Sequence, residues 1–195
     1  MPTIALDKSE KMEAVAFAIL RADARGRRAH PKLNVSQIAT GCGVSRAWVY
    51  KYFGSTQDEI IESVIDVLAP LILTASSDEG STPAEWTRRL TRSLEETLDE
   101  VEQYPEIFEF YFRHRIGSSR FQTRIVFHES AYVENTVRPQ LQRAFDLTPV
   151  RAREVAETIM TLRLGLVFRW LTTKDRAPET RRRHLTILKT LFKNL

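Results

Sequence analysis

The sequence predicts an all-α protein of about nine helices, and three observations carry that prediction. Apolar residues recur at three- and four-residue spacing through almost every segment, and none alternates over the length of a strand. Helix starts are marked by side chains able to accept bonds from the free amides of a first turn. Of 195 residues, 43% are hydrophobic and 28% charged, enough apolar content for a sizeable core in one large or two small domains.

Taken in order, the pattern places helices near 8–25, 35–41, 45–53, 56–76, 82–103, 105–116, 119–145, 149–173 and 178–193. Asn34-Val35-Ser36-Gln37 puts asparagine at an N-cap with glutamine three residues on. Thr82-Pro83-Ala84-Glu85 adds proline at the first helical position, and Thr148-Pro149 repeats that device. The stretch from Ser76 to Ser81 reads as a turn-rich loop, and Gly117-Ser118-Ser119 as a helix break. There is no internal repeat or low-complexity tract. A division near Thr56 gives two domains, 1–55 and 56–195, with no linker and a long helix joining them from Ser55 or Thr56.

Charge is unevenly spread. Met1 to Phe53 holds nine Lys/Arg against four Asp/Glu, whereas the remainder holds twenty against twenty-one. A basic head on a near-neutral body suits an anionic partner, because lysines and arginines that neutralise phosphates release condensed counterions; the alternative is a merely solvated basic surface. Cys42 is the sole cysteine, so neither an intrachain disulfide nor a cysteine-based zinc site is available, and a reducing cytoplasm fits. Met1 to Glu10 lacks the apolar stretch of a signal peptide, and no segment reaches the ~18 apolar residues of a membrane span. His114 and His128 lie on different helices with no third ligand in view, so neither a metal nor another cofactor is expected. No nucleophile-base pairing or Gly-rich phosphate loop points to catalysis.

The informative block is Asn34 to Phe53, NVSQIATGCGVSRAWVYKYF, a short capped helix, a tight turn and a second short helix. Ile38 and Ala39 form the inner face of the first, Gly41-Cys42-Gly43 makes the turn, Val44 plugs the angle and Ser45 caps the second helix. In that second helix Val49 and Phe53 point inward, four residues apart. Arg46, Ala47, Tyr50 and Lys51 are free to face outward. Such a helix suits a major groove about 12 Å wide, which admits one helix and reads it from its first residues. Cys42 is either a small apolar filler or an oxidation-sensitive thiol.

Ile38-Ala39, Gly43-Val44-Ser45, Tyr50 and Tyr52-Phe53 resemble the signature of the TetR family in identity and spacing, over twenty contiguous residues. Elsewhere the resemblance rests on helix layout and length. It implies a helix-turn-helix head of three helices and a helical ligand-binding and dimerisation body. It also implies a homodimeric repressor on a palindromic operator in double-stranded DNA, released by a small-molecule effector. By the same resemblance Arg46, Ala47 and Trp48 form the base-reading edge, Tyr50, Lys51 and Tyr52 meet the DNA backbone, and Val35 and Ser36 approach the groove margin beside Ser45. Three positions depart from the family pattern: Thr56 replaces a usual phosphate-touching lysine, Trp48 a small residue and Cys42 an alanine. Trp48 is either a thymine-methyl contact or a residue packed under the head.

Aromatics concentrate in 104–132, where Phe108, Tyr111, Phe112 and Arg115 share one helical face. Tyr104, Phe108, Tyr111, Phe112, Arg115, Phe127, His128, Tyr132 and Arg163 are the candidate lining of a cavity for a mostly apolar ligand with a polar or anionic end; ordinary core packing is the alternative. Ile159, Leu162, Leu166 and Trp170 repeat along one late helix, and Leu185, Leu188, Leu191 and Phe192 along the last. Two such stripes from each chain can close an intermolecular four-helix bundle, or be buried within one chain. The rival to the whole reading is an all-α small-molecule carrier or enzyme whose helix-turn-helix corner is incidental.

Overall fold

In the computed structural model, which describes residues 7–25, 33–73, 82–117, 119–173 and 177–192, nearly every residue is helical and no strand occurs among those described. The helices form two compact units, Met1–Leu71 with Glu109–Val126, and Ile72–Phe108 with Phe127–Leu195. The unit that holds the helix-turn-helix thus takes in more than residues 1–55. The predicted loop from Ser76 to Ser81 lies outside the described residues.

The first unit contains α1 (Lys8–Arg25), α2 (Val35–Gly41), α3 (Arg46–Phe53), most of α4 (Gln57–Leu73) and adjoining parts of α6 (Pro105–Gly117) and α7 (Ser119–Tyr132). A reciprocal cap starts α1: the Asp7 amide donates to Glu10 Oε2 at 2.8 Å and the Glu10 amide to Asp7 Oδ1 at 2.9 Å. Val15, Ile19 and Leu20 of α1, Val49 and Phe53 of α3, and Ile61 and Val64 of α4 are almost wholly buried. Asp23 on α1 is 1% exposed and is ion-paired to Arg113 of α6 at 2.7 Å, which keeps its charge compensated. Along the outside, Arg120 pairs with Glu62 and Asp58, and Arg124 with Asp66 at 2.6 Å, so two arginines of α7 grip three carboxylates spaced four apart on α4.

The second unit is built on α5 (Pro83–Gln103) and α9 (Pro149–Thr172), with α8 (Arg138–Phe145) and α10 (Pro178–Phe192) packed on them. Thr82 and Thr148 accept the amides of Glu85 and Arg151 as the predicted N-caps, each followed by proline. Described helix starts agree with the sequence reading to within one residue. The predicted helix 119–145 is continuous but not uniform. Val133–Val137 is π-helical, and the Arg138 amide reaches back five residues to the Val133 carbonyl. Pro139 explains this: it has no amide to donate and its ring crowds the preceding turn, so the helix gains one residue just ahead of it.

Candidate nucleic-acid interface and ligand cavity

α2 begins where the Asn34 side chain accepts the Gln37 amide at 3.1 Å, and α3 where Ser45 accepts the Trp48 amide at 3.0 Å. Between them the Cys42 amide donates to the Ile38 carbonyl at 3.0 Å and the Val44 amide to Ala39 at 3.0 Å. Gly43 has φ +65°, the left-handed conformation a side chain resists, whereas Gly41 is simply the last residue of α2. The turn therefore needs one glycine, not two.

With Val49 and Phe53 both 0% exposed, the opposite side of α3 is turned to solvent. Ser45, Arg46, Ala47 and Lys51 are exposed there, with Tyr50 half-buried. Arg46 Nε donates to the Tyr50 hydroxyl at 2.9 Å, with the guanidinium 5.1 Å from the ring centroid, so the two are held as a pair. Val35 and Ser36 share a surface groove of about 450 Å³ with Arg46 and Tyr50. Tyr52 is half-buried and carries the ammonium groups of Lys8 at 4.6 Å and Lys51 at 5.3 Å from its ring centroid. Lys8 lies far away in sequence, and only the fold brings it to this cluster. Trp48 is half-buried, its ring 4.7 Å from that of Tyr52 and 6.4 Å from that of Phe53. It packs on the head while keeping one side open. The Cys42 thiol donates to the Ala14 carbonyl at 3.5 Å, and burial pushes its pKa up, away from thiolate reactivity.

Thr56 is exposed and belongs to the cap of α4: its Oγ1 accepts the Glu59 amide at 3.3 Å. Glu59 Oε2 in turn accepts the amides of Ser55 at 2.7 Å and Thr56 at 3.0 Å, and these bonds hold the carboxyl down to about 2.

In the second unit a cavity of about 30 Å³ lies among Trp86, Arg89, Leu90 and Ser93 of α5, Tyr132 of α7, Val137 of the π segment, Gln140 of α8, and Ile159, Met160 and Arg163 of α9. Arg163 is 5% exposed, and its Nη2 donates to Thr97 Oγ1 at 2.8 Å; the Thr97 hydroxyl in turn donates a hydrogen bond to the Ser93 carbonyl at 2.8 Å. Arg163 also hydrogen-bonds the Tyr132 hydroxyl, whose pKa is raised overall by burial.

No protein-family model and no curated protein sequence matches the chain. Solved structures do. A TetR-family transcriptional regulator from Rhodococcus sp. superposes with a TM-score of 0.58 at 23% identity, over 93% of this chain and 96% of that one. A TetR-family transcriptional regulator from Streptomyces coelicolor gives 0.64 at 19% identity, over 97% and 81%. The chain has the TetR-family fold.

Within this TetR-type architecture the predicted ligand residues are dispersed. Tyr132 and Arg163 line the cavity. Phe108 is buried at 1% exposure without being part of that lining, Tyr104 and Phe127 are exposed at 38% and 60%, and His128 is half-buried. Tyr111 and Phe112, both buried, and half-buried Arg115 belong to the first unit. The cavity instead draws on Trp86, Arg89, Leu90, Ser93 and Gln140, which in sequence look like an ordinary amphipathic helix and a polar turn. The residues of the anticipated dimer stripe are placed as follows in the single chain. Ile159, Leu166, Trp170 and Leu185 are 3%, 5%, 1% and 8% exposed in the single chain, and Leu162 is half-buried, because they close this chain's own core. The side chains of Leu188, Leu191 and Phe192 lie outside the described residues. The outward side of α9 carries Thr158, Thr161, Gly165, Phe168 and Thr172.

Proposed function

We propose that this chain is a ligand-responsive transcriptional regulator of the TetR family, a cytoplasmic homodimer that represses from a palindromic operator until a small molecule occupies the α5–α9 cavity. Residues 1–55 read DNA in this proposal, and 56–195 bind the effector and the second subunit. One observation carries the reading: α3 is anchored by two fully buried residues, and the opposite side presents Arg46, Ala47 and Lys51 to solvent with Tyr50 and Lys8 beside them. A helix so held can enter a major groove without rearranging, base edges meeting its first turn and phosphates its flanking cations.

The outward face of α9 and α10 supports the dimer. Thr158, Thr161 and Thr172 on α9, and Thr186 and Thr190 on α10, each donate the hydroxyl proton to a carbonyl one turn earlier, at 2.8–2.9 Å. Their donors are already satisfied, so covering them costs little. Gly165 has open space around it, and Phe168 and Ile187 add exposed apolar surface at 41% and 38%. Effector binding shifts the dimer toward a state whose two reading helices no longer match successive major grooves, and affinity falls by the differential binding energy.

The test is selection of genomic DNA fragments by the purified protein, followed by salt-dependent affinity measurements beside Arg46→Ala, Lys51→Ala. The expected result is a palindrome with half-site centres about 34–36 Å apart. Its affinity should drop steeply with salt, and at least roughly tenfold in the double variant, with a shallower salt slope. Weak, sequence-indifferent binding unchanged by the two substitutions would refute the reading.

A further inference from the structure

Arg46 is the first residue of α3, and its exposed side chain is already set in one direction. Its Nε donates to the hydroxyl of Tyr50, four residues on, at 2.9 Å, and the guanidinium lies 5.1 Å from the centroid of that ring. Tyr50 is half-buried, which steadies the hydroxyl. Among the described residues the two terminal nitrogens of Arg46 meet no acceptor, and the groove that Arg46 and Tyr50 share with Val35 and Ser36 has no carboxylate in its lining. The charge is solvated; what Tyr50 supplies is orientation. With Nε engaged, Nη1 and Nη2 are left as an end-on fork of donors with no acceptor in it. Base edges in the major groove answer such a fork unequally. Guanine alone sets two acceptors, O6 and N7, side by side; adenine places an amino donor beside its N7, thymine a methyl group beside its one acceptor, and cytosine offers a donor. A fork of donors therefore meets guanine with both arms and any other base with one at most. Position agrees with chemistry, because the first turn of a reading helix is the part that reaches base edges. A side chain ordered before DNA arrives also loses less freedom on binding.

We propose that Arg46 reads one guanine in each operator half-site through its Nη1 and Nη2 fork, and that Tyr50 is the residue that positions it. This rests on the reading of α3 as the helix that enters the major groove. The Tyr50 hydroxyl, accepting from Nε, keeps its own proton to donate to a phosphate oxygen. Lysine in place of Arg46 would keep the charge and lose the planar fork, so charge and base choice can be separated by substitution.

The experiment measures binding of the full chain, at fixed salt, to its selected operator with each base pair replaced in turn and with 7-deazaguanine, which lacks the N7 acceptor, at each guanine. Wild type, Arg46→Ala, Arg46→Lys and Tyr50→Phe are compared, with circular dichroism as the check on folding. One G·C pair per half-site is expected to cost the wild type about ten- to hundredfold when changed to A·T, and a smaller factor as 7-deazaguanine. Arg46→Ala should bind all variants of that pair alike, and Arg46→Lys should recover affinity without recovering the preference. Tyr50→Phe keeps the ring and loses the hydroxyl, so its preference for that guanine should fall while its salt slope stays that of the wild type. An Arg46→Ala protein that keeps the wild-type preference at every pair overturns the proposal, because another side chain then reads the guanine. Uniform weakening across all sequences makes Arg46 a phosphate contact and nothing more, which overturns it while leaving α3 as the reading helix. Unchanged discrimination by Tyr50→Phe removes the positioning role. Selection that yields no preferred sequence at all refutes the reading of α3 itself, and the proposal with it.

Discussion

Glu59 shows how much one side chain can organise. Its carboxylate collects the amides of Ser55 and Thr56, and Thr56 Oγ1 accepts the Glu59 amide in return, so the entrance to α4 is closed by a reciprocal cap. The folded carboxyl, at about 2, lies below its ordinary value of 4.5. The cap therefore contributes in full above pH 4.5 and is lost as pH falls through about 2. Glu59→Gln should remove that share of acid sensitivity, and an NMR titration of the wild-type carboxyl should give a midpoint near 2; a midpoint at 4.5 would mean the cap does not form in solution. The same bonds bear on the proposed DNA complex. With Thr56 Oγ1 already accepting an amide, its remaining hydroxyl proton is what it offers a phosphate, and the stronger grip falls to Lys51, Arg46 and Lys8.

Among elements, the ladder of α4 and α7 makes a testable pair. Arg120 and Arg124 have side chains 53% and 45% exposed, so each pair is screened by solvent and its contribution to stability is small. Arg120→Gln with Arg124→Gln should lower the denaturation midpoint slightly in low salt and by less at ~1 M salt, where the Debye length shrinks to about 3 Å. A loss independent of salt would mean packing rather than charge is at stake. Elements were the most legible level of the sequence, because Asn34, Thr82 and Thr148 announce helix starts through local chemistry. The π turn was not legible: Pro139 is compatible with a break, a kink or a π insertion, and tertiary packing chooses. The phase of α9 was equally hidden. Its apolar residues cover much of the circumference, so periodicity selected Ile159, Leu166 and Trp170, which fold inward. The side left outside is marked by threonines and a glycine that no hydrophobic pattern detects. In the helix-turn-helix the identities of Val49 and Phe53 fixed the inward face, so the outward residues followed by subtraction; Lys8 did not, because its approach to Tyr52 depends on how α1 packs.

For the whole molecule the deciding property is association. Phe168 is 41% exposed in the single chain, so on the proposed dimer Phe168→Glu should fold normally by circular dichroism yet sediment as a monomer, with the wild type expected to sediment as a dimer. A variant that remains dimeric would remove α9 from the proposed interface. Loss of the dimer should also cost most of the operator affinity, because each half-site then binds alone.

The cavity of about 30 Å³ has a consequence in time as well as in affinity. An occupant larger than a water must wait for the walls to part, so its capture is gated by how often unit two breathes open rather than by diffusion, and association falls below the usual 10⁵–10⁷ M⁻¹s⁻¹ range of unhindered docking, to borrow the protein–protein scale. The same closure slows departure. In the proposed regulator, a switch built this way would integrate its signal: a brief pulse of effector would pass unread, a sustained one would register, and the response would outlast the stimulus by the residence time of the ligand.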